Sequence, residues 1–171
     1  KAGNLTRKKD NAGNESRFTY DKQGNLIKEK DAAARTASYS YDAYENLIEE
    51  TSFDQDQVSY EYDVKDQMIQ MTENDGSKTT YTYDKAGRKI SETDEEGGTT
   101  SFTYDGKGNI TTKTDAEGGV VSYTYNKNGD LASETDENGN TTKYEYDGIG
   151  QLVKTTDAAG NTSLSSYDSA E

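Results

Sequence analysis

The amino-acid sequence predicts an all-β fold, an array of antiparallel β-hairpins that covers residues 1–171 as one domain of about eight 21-residue units. Three observations predict it. A tyrosine recurs every 21 residues without insertion or deletion, a polar–aromatic alternation precedes each tyrosine, and Gly and Asp recur in columns between them. A fixed short period indicates one supersecondary unit copied in space, with each copy in contact mainly with its neighbours.

The recurring tyrosines, which we call the anchor tyrosines, are Tyr20, Tyr41, Tyr62, Tyr83, Tyr104, Tyr125, Tyr146 and Tyr167. An aspartate follows seven of them, namely Asp21, Asp42, Asp63, Asp84, Asp105, Asp147 and Asp168. Only Tyr125 is followed by an asparagine, Asn126. The regular Tyr-Asp pair therefore marks the same point in each repeat.

Residues 101–121 illustrate one repeat. The alternation from Ser101 to Tyr104 is typical of a half-buried strand. Residues 105–109 have turn composition, residues 110–114 form a second strand rich in β-branched residues, and residues 115–119 form a second turn before the cycle restarts. Each repeat thus contains two strands of about six residues and two turns of about five, with no room for a helix.

The turns account for the glycine and aspartate columns. Glycine accepts a positive φ angle without steric cost, as tight hairpin turns require. An aspartate at the start of a turn accepts N–H bonds from the backbone two or three residues later. Four residues after an anchor stand Gly24, Gly87, Gly108, Gly129 and Gly150. Ten residues further along stand Gly76, Gly97, Gly118, Gly139 and Gly160.

The strands account for the aromatic and aliphatic columns. Two residues before an anchor, on the same strand face, stand Phe18, Tyr39, Tyr60, Tyr81, Phe102, Tyr123 and Tyr144. Six residues after an anchor stand Leu26, Leu47, Met68, Ile110, Leu131 and Leu152. Lys89 breaks this second column, and we expect Ile90 beside it to take the position over. The columns predict ribs of stacked side chains along one face.

The turn chemistry departs from the pattern between about residues 42 and 69. Glu45 and Asp66 replace the first-turn glycine, and Ala34 and Gln55 replace the second-turn glycine. Two interpretations stay open: ordinary drift with different turn types, or a locally bent contact site.

Composition alone is typical of a disordered chain, because the net charge is -14 and Leu, Ile, Val and Phe total only 20 of 171 residues. The strict period favours order instead. The 14 tyrosines also favour it, because each buries on the order of 150–250 Å² while its hydroxyl stays in water. Acidic charge disfavours nucleic acid and anionic membranes as partners, and no apolar run reaches the length of a membrane span.

The sequence contains few residues that are suited to catalysis. The absence of Cys and His removes thiolate chemistry and the usual general base near neutral pH. Paired carboxylates occur in every repeat, and so many equivalent pairs argue against one tuned catalytic pair. We therefore expect no enzyme, no catalytic residue and no cofactor.

The string Tyr-Asp-x-x-Gly-Asn-Leu, an acidic turn about 11 residues after the Tyr, and then Tyr-x-Tyr-Asp resemble the YD repeat, also called the RHS repeat. Residues 20–26, 83–88, 104–110, 125–131 and 146–152 carry the resemblance best, and it covers essentially the whole chain. The resemblance implies one long sheet of hairpins that spirals into a partial shell, barrel or solenoid-like array. In bacterial members such shells enclose a C-terminal toxin, and teneurins and wall-associated proteins carry related repeats.

The resemblance implies a non-catalytic structural region of a secreted or cell-surface bacterial protein, a shell or stalk that encloses or presents a toxin or adhesin segment. The partner is then the rest of the parent chain or its enclosed C-terminal segment. The chain begins and ends inside a repeat, so we expect a fragment of a larger protein. Its unpaired terminal strands are expected to associate with other copies.

Two alternatives stay open. The tyrosines could stack on sugar rings in a carbohydrate-binding or adhesive surface, provided that the anchor rings are exposed. Structural calcium is the second alternative, in loops such as residues 136–140, which contain oxygen ligands but match no EF-hand spacing.

Overall fold

The computed structural model describes residues 3–168 and contains 16 β-strands and no helix in that range. The strands form a sheet in which each lies next to its chain neighbours, from β1 to β16 in order. Neighbouring strands pair in an antiparallel direction, as in β2–β3 and β3–β4. The predicted all-β hairpin array is therefore confirmed. The described residues include no helix with the length and apolarity needed to cross a membrane.

The strands alternate between five and six residues, apart from the short first and last ones. They are β1 (Arg7–Lys9), β2 (Glu15–Tyr20), β3 (Leu26–Lys30), β4 (Thr36–Tyr41), β5 (Leu47–Thr51), β6 (Gln57–Tyr62), β7 (Met68–Thr72), β8 (Lys78–Tyr83), β9 (Lys89–Thr93), β10 (Thr99–Tyr104), β11 (Ile110–Thr114), β12 (Val120–Tyr125), β13 (Leu131–Thr135), β14 (Thr141–Tyr146), β15 (Leu152–Thr156) and β16 (Thr162–Leu164).

The chain divides within β8 into two compact units, Lys1–Tyr81 and Thr82–Glu171. We call them the N-terminal and C-terminal units. Inside each unit, strands contact only the strands next to them in the chain. Each unit is thus one layer of sheet, and its stability comes from side chains that cover one another along the strands.

Burial is correspondingly shallow. Among the described residues only the Ala37 side chain is buried, at 2% exposure, and no large side chain is fully buried. The anchor tyrosines from Tyr20 to Tyr146 and the aliphatic column are half-buried. The predicted ribs of aromatic and aliphatic side chains exist, but they cover each other only in part, because no second layer of the described residues lies on them.

A β-bulge accompanies six of the first turns. In the pair β10–β11, Tyr104 lies opposite Ile110 and Thr103 lies opposite Thr112, so Thr111 is the extra residue. The same shift lies before Tyr20, Tyr41, Tyr62, Tyr125 and Tyr146. A bulge bends its strand and increases the local twist. It also sets the direction in which the anchor side chain leaves the strand end.

The face opposite the aromatic residues carries hydroxyls in the C-terminal unit. Cross-strand hydrogen bonds link Thr93 to Thr99 at 2.9 Å and Thr124 to Ser133 at 2.7 Å, and another links Thr135 to Thr141 at 2.9 Å. Paired Thr and Ser side chains of this kind contribute roughly 0.2–1 kcal/mol each relative to alanine. The β-branched columns therefore stabilise the sheet through paired hydroxyls as well as through strand propensity.

Lys89 keeps its place in the aliphatic column, and Ile90 does not take it over. Ile90 is 37% exposed. The ammonium group of Lys89 lies 5.4 Å from the centre of the Phe102 ring and forms an ion pair with Glu92. The expected replacement is wrong because the lysine stem and its cation–π contact occupy the position themselves.

Candidate functional site: the tyrosine–aspartate ladder

The anchor tyrosines connect successive hairpins through their hydroxyl groups. The Tyr41 hydroxyl donates to the backbone carbonyl of Leu26 at 3.0 Å, and Leu26 is the residue paired with the preceding anchor, Tyr20. The same bond, always to the carbonyl 15 residues earlier, has lengths between 2.6 and 3.0 Å at six anchors: Tyr20, Tyr41, Tyr62, Tyr104, Tyr125 and Tyr167. We call this series the tyrosine ladder.

The tyrosine ladder holds strand ends that the backbone does not pair. The β3–β4 ladder runs from Lys30–Thr36 to Lys28–Ser38, so Leu26 and Tyr41 lie beyond its last residue pair. The Tyr41 hydroxyl spans this gap. The ladder hydroxyls thus satisfy backbone carbonyls at the bulge, a role that the sequence did not predict.

Burial raises the pKa of donor hydroxyls in the tyrosine ladder, including those of Tyr62 and Tyr125. Burial and the nearby Asp42 carboxylate raise the pKa of Tyr62 above its ordinary value. Burial, Tyr123 and Asp105 raise the pKa of Tyr125 in the same way. Both neighbouring aspartates belong to the preceding turn, so the repeat places a negative charge near each of these anchors and favours the neutral phenol.

The aspartates after the anchors organise the turns. The Asp105 carboxylate accepts bonds from the Lys107 N–H at 2.8 Å, from the Asn109 N–H at 2.9 Å and from the Asn109 side-chain amide at 2.9 Å. These bonds lower the pKa of Asp105, with the Asn109 side chain as the largest cause. The predicted carboxylate-to-backbone bonds are present: the partners lie two and four residues on at Asp105, and three and four residues on at Asp21.

Asn126, the departure from the Tyr-Asp pair, preserves the same network with the two side chains exchanged. Its carbonyl oxygen accepts the N–H groups of Asn128 at 2.8 Å and Asp130 at 3.0 Å, and its amide donates to the Asp130 carboxylate at 2.9 Å. The turn therefore keeps its bonds with the asparagine first and the aspartate last.

One backbone scheme recurs in the turns from Asp10 to Asn161, and at Asp21 the Gly24 N–H donates to the aspartate side chain at 2.7 Å. In the turn that starts at Asp105, the Asp105 N–H donates to the Asn109 carbonyl at 2.9 Å and the Gly108 N–H donates to the Asp105 carbonyl at 3.2 Å. The fourth residue of the turn has a positive φ, which is 94° at Gly108. This is a three-residue hairpin loop closed by a left-handed residue. The glycine column Gly24, Gly87, Gly108, Gly129 and Gly150 occupies this position with φ between 85° and 105°.

The four turns without glycine keep that scheme. Ala34, Glu45, Gln55 and Asp66 have φ values of 67°, 72°, 72° and 61°. Their backbone N–H groups donate to the first residue of the turn, just as the glycines do. The interpretation of drift towards different turn types is therefore wrong, because the turn type is the same and a side chain is accommodated in the left-handed region.

Arginine at the fifth turn position joins neighbouring turns. The Arg88 guanidinium pairs with Asp84 at 2.7 Å, donates to the Asp105 carbonyl at 3.0 Å and lies 4.7 Å from the centre of the Tyr104 ring. Arg35 pairs in the same way with Asp31 at 2.7 Å. Sequence reasoning missed these contacts, although an arginine where asparagine is the commonest residue was visible.

Glutamates on the aromatic face are a second feature that sequence reasoning missed. Glu50 lies opposite Tyr39 across β4–β5, and its carboxylate accepts the Tyr60 hydroxyl at 2.7 Å. Burial and Glu50 raise the pKa of Tyr60. In the C-terminal unit Glu134 lies opposite Tyr123. The aromatic face therefore contains half-buried carboxylates that bind tyrosines, which its strand alternation alone did not indicate.

The geometry suits a scaffold. The anchors from Tyr20 to Tyr146 are half-buried, whereas the glycan hypothesis requires exposed rings. The Asp136 carboxylate, in the loop considered for calcium, accepts bonds from Asn138 and Asn140 of its own turn. Within residues 3–168 no group of three or more His, Cys, Asp or Glu side chains is placed to hold a metal ion. Glycan binding stays an untested prediction.

Comparisons with solved structures identify the same fold. The TcdB2-TccC3-Cdc42 crystal structure superposes with a TM-score of 0.74 at 18% identity, over 88% of this chain and 10% of the other. The Photorhabdus luminescens Tc holotoxin pore gives 0.73 at 18% identity, over 91% and 10%. The TcdB2-TccC3 crystal structure gives 0.72 at 18% identity, over 88% and 10%. The chain thus spans about a tenth of the length of these proteins.

The sequence itself matches no curated protein. It does match the family model of the RHS repeat, in five segments that together cover most of the chain: residues 1–36, 20–57, 62–99, 90–120 and 125–162. The tyrosine ladder and the aspartate-opened turns recur inside these segments. The chain belongs to the RHS repeat family.

Proposed function

We propose that this chain is a non-catalytic wall segment of a secreted bacterial protein, in which the sheet forms part of a shell around a toxin or adhesin segment of the same parent chain. The observation that carries the proposal is the repeated tie between hairpins. Each bonded anchor joins its own hairpin to the preceding one without any second layer of structure. Such a sheet extends by adding repeats, and its two faces remain available as an outside and an inside.

The related structures support this proposal by their composition. They are named as complexes of TcdB2 with TccC3 and as a Tc holotoxin pore, and this chain superposes on a tenth of one chain of each. Secretion and a cell-surface location follow from that likeness as expectations. A stalk that presents a segment rather than enclosing it would use the same ties.

A deletion in the parent chain tests enclosure. Removing residues 105–146 takes out two repeats and leaves the turn and strand sequence in phase. We expect the intact parent to protect its enclosed segment from a nonspecific protease and the deletion variant to lose that protection. Exchanging the same 42 residues for two repeats from another part of the array is the matched control. Equal digestion of the segment in the intact parent and the deletion variant would contradict enclosure.

Sedimentation of the isolated 171-residue polypeptide tests whether its terminal strands pair with other copies. Strands β1 and β16 stand at the two ends of the strand order. We expect concentration-dependent association through these edges, measured by sedimentation. Placing proline at Arg7 and Leu164, whose backbone N–H groups face the free edges because each lies in a non-hydrogen-bonded pair of its ladder, should reduce it by removing an edge donor. A monodisperse monomer at high concentration would refute edge pairing.

A further inference from the structure

Two neighbouring turns of the N-terminal unit enclose a groove with exposed apolar side chains. Tyr44 is 78% exposed and Val64 is fully exposed, and both line the groove together with Ile48. The Asn46 amide donates to the Asp66 carboxylate at 3.0 Å, which holds the two turns side by side. We call this feature the Tyr44–Val64 groove. Its volume is about 740 Å³, within the range of small-molecule and peptide sites.

Four carboxylates surround these apolar side chains. Asp42, Glu61, Asp63 and Asp66 line the groove, and no lysine or arginine is among its lining residues. Asp42 and Asp63 stand at the start of turns and accept N–H bonds from them. These bonds hold both carboxylates in place, so the groove has an acidic rim next to an apolar surface.

The corresponding turns elsewhere lack this combination. The two residues after the first residue of the turn are Lys-Gln at 22–23, Lys-Ala at 85–86, Gly-Lys at 106–107 and Lys-Asn at 127–128. In the two turns of the groove, the same positions hold Ala-Tyr at 43–44 and Val-Lys at 64–65. The groove thus arises where two turns that lie side by side each present a large apolar residue. Ile149, 82% exposed, is an isolated case in the C-terminal unit.

We propose that the Tyr44–Val64 groove binds a basic peptide segment that contains a large apolar side chain. The apolar side chain would lie against Tyr44, Ile48 and Val64. Flanking lysine or arginine side chains would pair with the surrounding carboxylates, and a guanidinium could also stack on the Tyr44 ring. The charge sign selects a cationic partner and excludes an anionic lipid surface, which the same carboxylates would repel.

The ion pairs and the apolar contact can be distinguished by their response to salt. Ion pairs at an exposed groove are screened by salt, since the Debye length falls from about 10 Å at 0.1 M to about 3 Å at 1 M. The apolar contact is not screened in this way. Binding should therefore weaken as salt rises, and it should require the apolar residue at any salt concentration.

Fluorescence anisotropy with three labelled nine-residue peptides tests the proposal on the full chain. One peptide alternates arginine and leucine, one alternates arginine and serine, and one alternates glutamate and leucine. We expect binding of the first alone. The double variant Tyr44→Ser and Val64→Ser should weaken it about tenfold or more, as truncation of central apolar anchors does in other interfaces. Ile149→Ser, an equally exposed aliphatic residue, is the matched control and should leave the affinity unchanged.

Two results would overturn the proposal. One is equal binding of the arginine–leucine peptide by the wild type and the double variant. The other is equal binding of the arginine–serine peptide, since that would reduce the interaction to nonspecific charge. Tyr44 and Val64 are exposed, so the double variant should fold, and its circular dichroism spectrum and melting temperature establish that it does. A lack of binding of the arginine–leucine peptide to the wild type would also reject the site.

Discussion

Two stretches of this chain build the same turn from different residues. The stretch of residues 31–67 has four successive turns without glycine, and the left-handed position holds Ala34, Glu45, Gln55 and Asp66. The stretch of residues 73–161 has a glycine in that position in every turn, with φ between 83° and 98°. Backbone bonds inside the turns agree between the two stretches. The hydrogen-bond scheme therefore defines the turn, and glycine only makes it easier to adopt.

The comparison also sets two costs of the left-handed position side by side: the strain of a non-glycine residue and the backbone entropy that glycine loses. A non-glycine residue in the left-handed region costs roughly 1–2 kcal/mol, whereas glycine loses more backbone freedom on folding. Residues 31–67 contain a strained non-glycine residue in four consecutive turns. The same stretch contains the Tyr44–Val64 groove, whose two turns both carry such a residue, at Glu45 and Asp66. The departure from the repeat pattern thus coincides with the proposed binding site.

Exchanging glycine and alanine between the two stretches should give the largest effect. Gly118 has φ of 87°, and a Cβ there would meet no atom within 4 Å, so Gly118→Ala adds backbone strain without a clash. We expect a loss of about 1–2 kcal/mol in unfolding free energy. The reverse change, Ala34→Gly, should stabilise by about 0.5–1 kcal/mol after the entropy of glycine is subtracted. Urea unfolding measures both, and changes of the same sign would contradict a shared left-handed position.

Removing one anchor hydroxyl should have a smaller effect that is equal in the two stretches. Tyr62→Phe and Tyr125→Phe each delete a bond to a backbone carbonyl, at 2.9 Å in both cases. We expect each to lower the unfolding free energy by about 0.5–1.5 kcal/mol. Tyr44→Phe is the control, because this exposed hydroxyl belongs to no anchor. A loss confined to one of the two anchors would indicate that the tyrosine ladder stabilises only that stretch.

Acid should loosen turns that start with aspartate and spare the turn that starts with Ser52, which gives the smallest and most local effect. Hydrogen bonds from Asn140 lower the pKa of Asp136 below its ordinary value. The stabilisation is therefore present above the unfolded-state pKa and is lost as the pH falls through the lower folded-state pKa. Ser52 accepts the Asp56 N–H at 3.2 Å through its hydroxyl and does not titrate there.

Amide hydrogen exchange compares the two turns directly. Protection of the Asn140 N–H, 2.8 Å from Asp136, should fall on acidification after correction for the intrinsic exchange rate. Protection of the Asp56 N–H should change less. Asp136→Asn is the control variant and should flatten the pH profile of Asn140. An identical acid response of both amides in the wild type would contradict a carboxylate-specific contribution.

Much of the fold could be predicted from sequence because the relevant interactions are local. The alternation before Tyr104, the β-branched residues after Ile110 and the turn composition of residues 105–109 each specify a local conformation. The exchange of Asn126 and Asp130 was also readable in principle, since the two residue types simply trade places within one turn.

The tyrosine ladder could not be predicted in the same way. The bond from Tyr41 to Leu26 depends on the strand register and on the bulge that ends each first-turn ladder, and neither leaves a residue signature of its own. The turn at Glu45 was misjudged for a different reason. Glycine is a preference of the left-handed region, and neighbouring bonds such as that from Asn46 to Asp42 hold the turn without it.

The most direct test of a left-handed residue shared by all turns is a measurement of φ in solution at Ala34, Glu45, Gln55 and Asp66. Three-bond couplings and the intraresidue contact between the amide and α protons distinguish positive from negative φ. We predict a positive φ at all four positions, as at Gly108 and Gly118. A negative φ at any of them would mean that the glycine-free stretch uses a different turn and would contradict the common hydrogen-bond scheme.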